Sequence, residues 1–166
     1  MNEVDLISFT EEKLSAECIS AMERLCRRVN TVPYQPFRGS SLKSMLGYFS
    51  MNPRSTLDTF SPEMKQQVDQ AVELHGYDVV IASQIDMAAY SGHLRGVAKI
   101  FEEIELTNLY EQPHQQTRLY KRTMKKLTWW KYARYARGLI GAHDCCTVVS
   151  EIEKKRVQEI APGYQE

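Results

Sequence analysis

Short apolar runs alternate along this chain with longer amphipathic stretches. The clearest run is residues 79–82, where four small or β-branched apolar residues stand between Gly76 and the polar pair Ser83 and Gln84. An unbroken run of this length, closed by polar residues, is typical of a strand buried on both faces of a parallel sheet. Comparable runs predict further strands at residues 4–9, 29–32, 98–105 and 145–149.

Helices are predicted between these strands, because apolar residues there recur at three- and four-residue steps. The pair Ser61-Pro62 is typical of a helix start and Gly76 of a helix end, which bounds one helix closely. Thr10 and the two glutamates after it predict the start of another helix, which we expect to end near residue 28. Shorter or later helices are predicted at residues 41–49, 87–94 and 151–159.

The longest predicted helix covers residues 114–142. Its apolar residues repeat with helical spacing, and we expect them to form one buried stripe. The stripe consists of Tyr120, Met124, Leu127, Trp130, Ala133, Ala136 and Ile140.

This order of elements predicts the fold class. Strands that alternate with helices of this length favour a mostly parallel sheet with helices on both faces. The predicted fold is therefore a Rossmann-like α/β fold with three layers in the order α/β/α. At 166 residues with 43% hydrophobic content, the chain is long enough for one core, and we expect a single domain over residues 1–166.

Charge and cysteine content argue against several classes of protein. Lysine plus arginine equals aspartate plus glutamate at 21 each, so no net field favours nucleic acid. The four cysteines form no C-x-x-C pair, which predicts reduced thiols. The start of the chain lacks the pattern of a signal peptide, and no stretch is long and apolar enough to span a membrane. We therefore expect a cytoplasmic protein.

Motifs for nucleotide and metal chemistry are absent from the sequence. There is no glycine-rich dinucleotide loop, no phosphate-binding loop and no nucleophile elbow of the hydrolase type. The four histidines are far apart and lack cysteine or carboxylate partners at helical spacing. We therefore predict no metal site and no bound cofactor.

Polar side chains follow two of the predicted strands. Ser83, Gln84 and Asp86 follow one strand, and the carboxylates Glu102, Glu103 and Glu105 end the other. Ligands of open α/β sheets bind outside the carboxyl ends of the strands. Carboxylates at such a place can accept hydrogen bonds from sugar hydroxyls or act as a base. Two interpretations stay open: a binding site, or ordinary turns with ion pairs to the basic helix that follows.

Basic residues crowd the longest predicted helix, which has no acidic residue before Asp144 and carries Trp129 and Trp130 in its middle. Such a combination suits an anionic membrane surface or a polyphosphate, whereas the plainer interpretation is a solvated helix face. No recognised nucleic-acid-binding module accompanies it, so nucleic acid is not an expected partner. The residues expected to make membrane or anion contact are Arg118, Arg122, Lys125 and Lys126.

Several of these segments together resemble one family. They are residues 4–9 (V-D-L-I-S-F), residues 77–80 (Y-D-V-V), the acidic strand exit at 101–105, the basic helix, and residues 144–153 (D-C-C-T-V-V-S-E-I-E). In this combination the chain is similar to the N-terminal, acceptor-side half of retaining, group 1 glycosyltransferases of the GT-B fold. The most specific piece is the T-V-V-S-E-x-E element, which in the family is the last strand of the N-terminal domain.

The resemblance implies transfer of a sugar from a nucleotide-sugar donor to a glycan or lipid-linked acceptor, as in polysaccharide biosynthesis. It assigns no catalytic base to these residues. The donor-binding C-terminal domain is missing from them, so we expect that domain as a partner and no activity from the isolated chain. The alternative is a noncatalytic α/β binding or scaffolding module whose basic helix contacts a partner or the inner face of a membrane. The residues expected to bind acceptor or line the cleft are Ser83, Gln84, Glu103, Glu105, Ser150 and Glu151.

The resemblance also implies an incomplete sheet. Family members carry an extra strand, a glycine-rich loop and a helix ahead of the segment that begins here at Val4. That first strand lies between the strands that start near Val4 and near Tyr77, so its absence leaves ladder groups unpaired on both. We expect either that these two strands pair directly, or that another copy of the chain supplies the missing edge and makes a homo-oligomer.

Overall fold

A computed structural model describes residues 3–11, 15–111 and 118–163, in which strands alternate with helices. The strands are β1 (Asp5–Thr10), β2 (Arg28–Pro33), β3 (Val79–Ser83), β4 (Ala98–Ile104) and β5 (Cys145–Val148). The helices are α1 (Ala16–Glu23), α2 (Leu42–Leu46), α3 (Arg54–Thr59), α4 (Pro62–His75), α5 (Gln84–Ser91), α6 (Thr107–Glu111), α7 (Leu119–Ile140) and α8 (Glu151–Ile160).

The strands form two small sheets, and every pairing in them is parallel. One sheet has the order β1-β2 and the other has the order β3-β4-β5. This mixed α/β arrangement is consistent with the predicted Rossmann-like fold. The prediction that the first and third strands pair directly is wrong, because β1 pairs only with β2 and β3 only with β4.

Two apolar clusters hold the elements together. The first joins the three-stranded sheet to α5, α7 and α8, and its centre contains Phe101, Ile104 and Ile140. The second joins both sheets to α4 and α5, with Met64 and Val68 of α4 at its centre. Met87 packs against both clusters, so the two sheets share a continuous apolar interior.

Helix α4 confirms the sequence signals that predicted it. The Ser61 hydroxyl accepts a hydrogen bond from the Met64 amide at 3.2 Å, and Pro62 follows as the first helical residue. Gly76 ends the helix with a φ of 57°, a left-handed conformation that costs glycine little. The chain is thereby turned directly into β3.

Helix α1 begins later than predicted. Thr10 is the last residue of β1, where it lies opposite Pro33 of β2, so it does not start the helix. The helix is capped instead by Ser15, whose hydroxyl accepts a hydrogen bond from the Cys18 amide at 3.3 Å. Residues 12–14, which the prediction placed in the first turn, lie outside the described residues.

The predicted buried stripe of α7 is wrong in part. Ala136 and Ile140 are buried as expected, but Trp130 is 49% exposed and Tyr120 is 76% exposed. Trp129 packs against the first cluster in place of Trp130. The buried face thus agrees with the prediction at the end of the helix and departs from it at the tryptophans, where Lys131 is also buried and makes the hydrogen bonds described below. The predicted first residues, 114–117, lie outside the described residues.

One side of β3 is open to solvent. Val80 and Ala82 point to the apolar clusters, whereas Val79 and Ile81, which alternate with them, are 42% and 56% exposed. Parallel strands are ordinarily covered on both faces. The predicted second helical layer therefore does not cover this strand within the described residues.

Candidate functional site

The candidate site begins where β3 passes directly into α5. Ser83 ends the strand and Gln84 starts the helix, with no loop between them. Gln84 has a φ of 65°, in the left-handed region that non-glycine residues seldom occupy. Such conformations cost of order 1 kcal/mol or more and cluster at functional sites.

A β-bulge places a second strained residue beside the first. Phe101 lies opposite Cys146 and Ile104 lies opposite Val148, so three steps along β4 match two along β5. Glu103 lies within this irregularity and has a φ of 58°. The bulge therefore sets the direction of the Glu103 side chain.

A short hydrogen-bond chain links Glu103 to Ser83, the neighbour of Gln84, and to Thr147. The Ser83 hydroxyl donates to the Glu103 carboxylate, with 2.9 Å between Oγ and Oε2. The Glu103 amide in turn donates to the Thr147 hydroxyl of β5 at 3.3 Å. The carboxyl ends of all three strands are thus tied together, and the exposed carboxylate of Glu103 keeps its second oxygen for a ligand.

A pocket with one carboxylate and several aromatic rings opens next to this chain. Asp86, in the first turn of α5, forms its polar wall. The free volume is about 10 Å³, room for about one water molecule, so a larger ligand would lie across the mouth. The other lining residues are Phe9, Tyr34, Thr56, Thr59, Phe60, Ala89, Tyr90 and Tyr135.

The aromatic rings of this pocket are held in place by contacts with one another. Tyr90 stacks on Phe60 with 5.2 Å between ring centroids, and Phe9 meets Tyr34 edge to face at 5.7 Å. The Tyr90 hydroxyl also accepts a hydrogen bond from the Ser61 amide at 2.9 Å. The pocket wall is therefore preformed from β1, α5 and the chain between α3 and α4.

Asp86 sets the electrostatics of this region. Asp86 as a residue is exposed, yet the protein packed around its carboxyl raises the pKa of that group by desolvation. Burial and then the charge of Asp86 raise the pKa of Tyr34 and Tyr132, and raise that of Tyr135 to about 12. The tyrosines keep their protons at neutral pH and can donate hydrogen bonds, while the carboxylate accepts them.

The other predicted cleft residues have different surroundings. Ser150 caps α8, and its hydroxyl accepts a hydrogen bond from the Glu153 amide at 3.2 Å. Glu151 and Glu105 are exposed, the first in the opening turn of α8 and the second between β4 and α6. The structure thus brings Ser83, Gln84 and Glu103 together. It places Ser150, Glu151 and Glu105 at the same edge of the sheet, without direct contact to the first three residues.

Glu153 has a structural role in the same segment. It is buried, and its carboxylate accepts hydrogen bonds from the amides of Leu106 and Thr107 at 2.7 and 3.0 Å. These amides open α6, so the carboxylate caps that short helix from α8. The last glutamate of the T-V-V-S-E-x-E element therefore fastens α8 to the end of β4.

The basic residues singled out on α7 lie near its start. Arg118 precedes the first turn, Arg122 and Lys126 are exposed, and Lys125 is half-buried. Leu119, Tyr120, Leu127 and Trp130 are exposed between them. This half of the helix therefore presents a mixed basic and apolar surface.

A second exposed apolar surface lies beside α7. We call residues 42–51 the apolar segment; it comprises α2 and the turn after it. Its exposed side chains include Leu46 at 61% and Phe49 at 92%. Lys131 fixes it to α7, since its buried ammonium group donates to the carbonyls of Gly47 at 3.2 Å and Tyr48 at 3.0 Å.

Sequence reasoning missed the tyrosines around Asp86 and the role of Lys131. One signal was present, because Asp86 and Tyr90 are four residues apart and share a face of a short helix. Tyr34 and Tyr135 come from distant parts of the chain and meet Asp86 only in the fold. Lys131 stands among other basic residues, so nothing local distinguished it.

No group of three or more histidine, cysteine, aspartate or glutamate side chains in residues 3–11, 15–111 and 118–163 is arranged to hold a metal ion. The helices of the described chain also include none that is long and apolar enough to cross a membrane. No protein-family model matches the chain, and a search of curated proteins finds no relative.

Proposed function

We propose that the chain is the acceptor-side domain of a glycosyltransferase, which moves a sugar from a nucleotide-sugar donor to a glycan or lipid-linked acceptor. The observation that supports this best is the pairing of the Asp86 carboxylate with rigid aromatic rings at the carboxyl edge of the strands. Sugar hydroxyls donate to carboxylates, and the apolar faces of sugar rings pack on aromatic side chains. Both kinds of contact are the usual means by which concave sites orient a polar ligand.

The strained residues next to the pocket extend this proposal. Glu103 is held by Ser83 through one carboxylate oxygen, which leaves the other to accept a hydrogen bond from an acceptor hydroxyl. Gln84 adds an exposed amide with both donor and acceptor atoms. These residues bind and orient the acceptor, and no catalytic base is assigned to them.

Under this proposal the donor sugar is held by a second domain that lies outside these residues. Donor and acceptor would meet between that domain and the carboxyl edge of β3, β4 and β5. We therefore expect no transfer by the 166-residue chain alone. Measurable transfer from any nucleotide sugar by the purified chain would contradict this part of the proposal.

Acceptor binding can be tested without the second domain. We would titrate 15N-labelled protein with a panel of oligosaccharides and follow amide chemical shifts. A binding glycan is expected to shift the amides of Gln84, Asp86 and Glu103. Asp86→Asn is expected to weaken binding about tenfold, because a hydrogen bond to a charged group contributes about 1.5–3 kcal/mol.

The matched control is Glu63→Gln, which removes an exposed carboxylate in the first turn of α4. This variant should bind as wild type does. The proposal fails if no glycan shifts the named amides, or if both variants weaken binding equally.

A second candidate function is a noncatalytic module that contacts a membrane or a protein partner. It is favoured by two surfaces of the same helix: the exposed apolar segment, which Lys131 holds against the middle of α7, and the basic residues nearer its start. Apolar side chains next to basic ones suit the boundary of an anionic membrane, where each basic residue contributes about 1 kcal/mol. A lipid-linked acceptor would make this contact compatible with the first proposal.

Sedimentation with anionic vesicles tests the second candidate. Lys125→Glu/Lys126→Glu is expected to reduce the bound fraction strongly at low salt, and Phe49→Ser to reduce it at every salt concentration. The control Arg24→Glu/Lys155→Glu changes the same charge at two exposed residues outside α7. Equal loss in both double variants, or no sedimentation of wild type, would contradict specific membrane contact.

A further inference from the structure

A slot separates the two sheets. Its volume is about 330 Å³, and it is lined by consecutive residues of two strands, 3–7 at β1 and 79–82 at β3. Successive residues of a strand point to opposite faces, so a cavity that touches all of them touches the edge of the strand. Side chains of α4 and α5 form the remaining wall, among them Val68, Ala71 and Met87.

Backbone groups on both edges point into the slot. In β1 the carbonyls of Val4 and Thr10 accept hydrogen bonds from the β2 side. The backbone groups of the even-numbered residues therefore face β2, and those of the odd-numbered residues face the slot. In β3 the Asp78 carbonyl accepts a hydrogen bond from the Ala98 amide, so the backbone groups of Asp78 face β4. The backbone amides and carbonyls of Val79 and Ile81 therefore point the other way, into the slot. Each edge thus presents a row of amide and carbonyl groups to the other across the slot.

The two edges run in the same direction. At one end the Tyr77 hydroxyl, just before β3, donates to the Asp5 carboxylate at the start of β1. At the other end Phe9 of β1 contacts Tyr90 of α5, which follows β3, with 5.9 Å between ring centroids. The slot is therefore flanked by two parallel strands that are bridged by side chains and not by a backbone ladder.

We propose that the slot binds an extended segment of another polypeptide, which pairs with β1 on one edge and β3 on the other and joins the two sheets into one. This inference concerns a surface distinct from the acceptor pocket and does not depend on the proposed function. Strand addition of this kind takes its affinity from main-chain hydrogen bonds and its specificity from alternate side chains.

The walls of the slot specify the chemistry of the segment. One side faces Val68, Val72 and Met87, so every second residue of the segment is apolar. The other side lies beside Val79 and Ile81, whose exposed side chains favour apolar or β-branched neighbours. The occupant is therefore a Val- and Ile-rich stretch of about six residues, the length of β1.

Neither the rest of these 166 residues nor a folded copy of them can pair with both edges of the slot. The longest stretch outside the described residues, 112–117, reads Q-P-H-Q-Q-T; it contains no Val, Ile, Phe, Tyr or Trp, and its proline cannot donate to a strand ladder. Every strand of the described chain is already paired on at least one edge. To pair with both β1 and β3, the occupant needs two free strand edges. A separate extended segment has them, whereas a strand of a folded copy can pair with at most one edge of the slot.

A designed peptide tests the proposal directly. The probe has six alternating Val and Ile residues with two lysines at each end and a fluorescent label, and its binding is followed by anisotropy. Hydrogen exchange is then measured on the complex. We expect new protection at the amides of Ile7, Val79 and Ile81, which face the slot, and little change at Leu6 and Val80, which already face β2 and β4.

Two controls separate strand pairing from apolar adhesion. The same peptide with alternate backbone nitrogens methylated keeps its side chains but loses donors, and it should bind at least about tenfold more weakly. Ala71→Trp fills the slot from α4 and should abolish binding, whereas Gln66→Trp on the exposed side of that helix should not. Circular dichroism of both variants shows whether they fold, and the exchange data on wild type stand independently of them.

Three results would overturn the proposal. Equal binding of the methylated peptide would show adhesion without pairing. Equal new protection at the amides that face the slot and at those that face β2 and β4 would show that the peptide stabilises the fold in general. A concentration-dependent dimer of the free protein, with Ile7 and Ile81 already protected, would show that a second copy fills the slot.

Discussion

Asp5 joins the two strands that border the slot. Arg27 holds its carboxylate with contacts of 2.7 and 3.0 Å, and the Tyr77 hydroxyl donates to the same group. The hydrogen bond from Arg27 is the main reason that the pKa of Asp5 falls from 3.8 to about 2. Its side chain is only 7% exposed, so these partners replace water around the charge.

Asp5→Asn is expected to destabilise the protein at pH 7 by about 1 kcal/mol after allowance for screening at the partly exposed Arg27. The pKa of Asp5 is lower in the folded than in the unfolded protein. Its stabilising effect is therefore present above pH 4 and is lost as the pH falls towards 2. Thermal unfolding of both proteins from pH 7 to pH 2 measures this.

Tyr77→Phe is the companion variant, because it removes the hydroxyl and keeps the pair of Asp5 with Arg27. It should show a smaller loss of stability and retain most of the pH dependence of wild type, because the Tyr77 hydroxyl lowers the pKa of Asp5 less than Arg27 does. A constant difference between wild type and Asp5→Asn across this pH range would contradict the assignment.

Residue types at the site could be predicted from sequence, but their backbone geometry could not. Ser83, Gln84 and Glu103 were expected at strand exits, and the structure places them together. The left-handed conformations of Gln84 and Glu103 depend on the direct junction of β3 with α5 and on the register between β4 and β5. The register between two strands depends on residues far apart in the sequence, so no local pattern predicts it.

At the scale of elements, one buried carboxylate connects three of them. Glu153 lies in α8, accepts hydrogen bonds from the amides that open α6, and thereby fixes the end of β4. Two residues earlier, Glu151 belongs to the same helix turn but is exposed. The pair offers a matched comparison of a capping and a solvated glutamate.

Glu153→Ala is expected to destabilise the protein by about 2–3 kcal/mol, because two amides lose a charged acceptor in a buried place. Glu151→Ala should change the stability by less than about 0.5 kcal/mol, as is usual for exposed positions. Urea unfolding followed by circular dichroism provides both values. Similar losses in the two variants would show that the hydrogen bonds of Glu153 do not contribute this part of the free energy of unfolding.

Helix α7 shows where periodicity misleads. The apolar repeat predicted Trp130 in the core, but Trp129 is packed there and Lys131 is buried beside it. The cause is a pair of carbonyls at the end of α2, which accept hydrogen bonds from the Lys131 ammonium group. A hydropathy pattern counts lysine as an exposed residue, so it misplaces the buried face at Trp129–Lys131 while it is correct at Ala136 and Ile140.

Lys131→Met keeps the length and apolar stem of the side chain and removes its charge. We expect the apolar segment to detach locally, because the carbonyls of Gly47 and Tyr48 lose their donor. Chymotrypsin should then cut after Tyr48 or Phe49 several times faster than in wild type. Lys126→Met, an exposed position on the same helix, should leave the cleavage rate unchanged; an equal effect in both variants would contradict the role of Lys131.

At the scale of the whole molecule, the order of strands and helices followed from the sequence, but the division into two sheets did not. Apolar runs predict that strands exist and that they are parallel, whereas pairing partners are chosen across the fold. The expectation of direct pairing between β1 and β3 failed: a slot lined by α4 side chains separates the two strands, and the Tyr77–Asp5 contact bridges them at one end. The expectation of a homo-oligomer through this gap stays a prediction.

The open side of β3 and the slot beside it are expected to control self-association. Exposed apolar strand edges template pairing between molecules, and a charged side chain at such an edge suppresses it. The sequence has no net charge at pH 7 and a pI near 6.9, so little repulsion between molecules opposes association there. Ile81→Lys, which puts a charge at a position that is 56% exposed, should therefore slow aggregation at pH 7.

The matched control is Leu25→Lys, which adds the same charge and removes a side chain that is 78% exposed after α1, away from the slot. Light scattering at increasing protein concentration compares the two variants with wild type. If the edge of β3 drives association, Ile81→Lys slows it much more than Leu25→Lys, and both unfold within about 0.5 kcal/mol of wild type. Equal slowing by the two variants would assign the effect to net charge instead, and the edge of β3 would then play no special part in association.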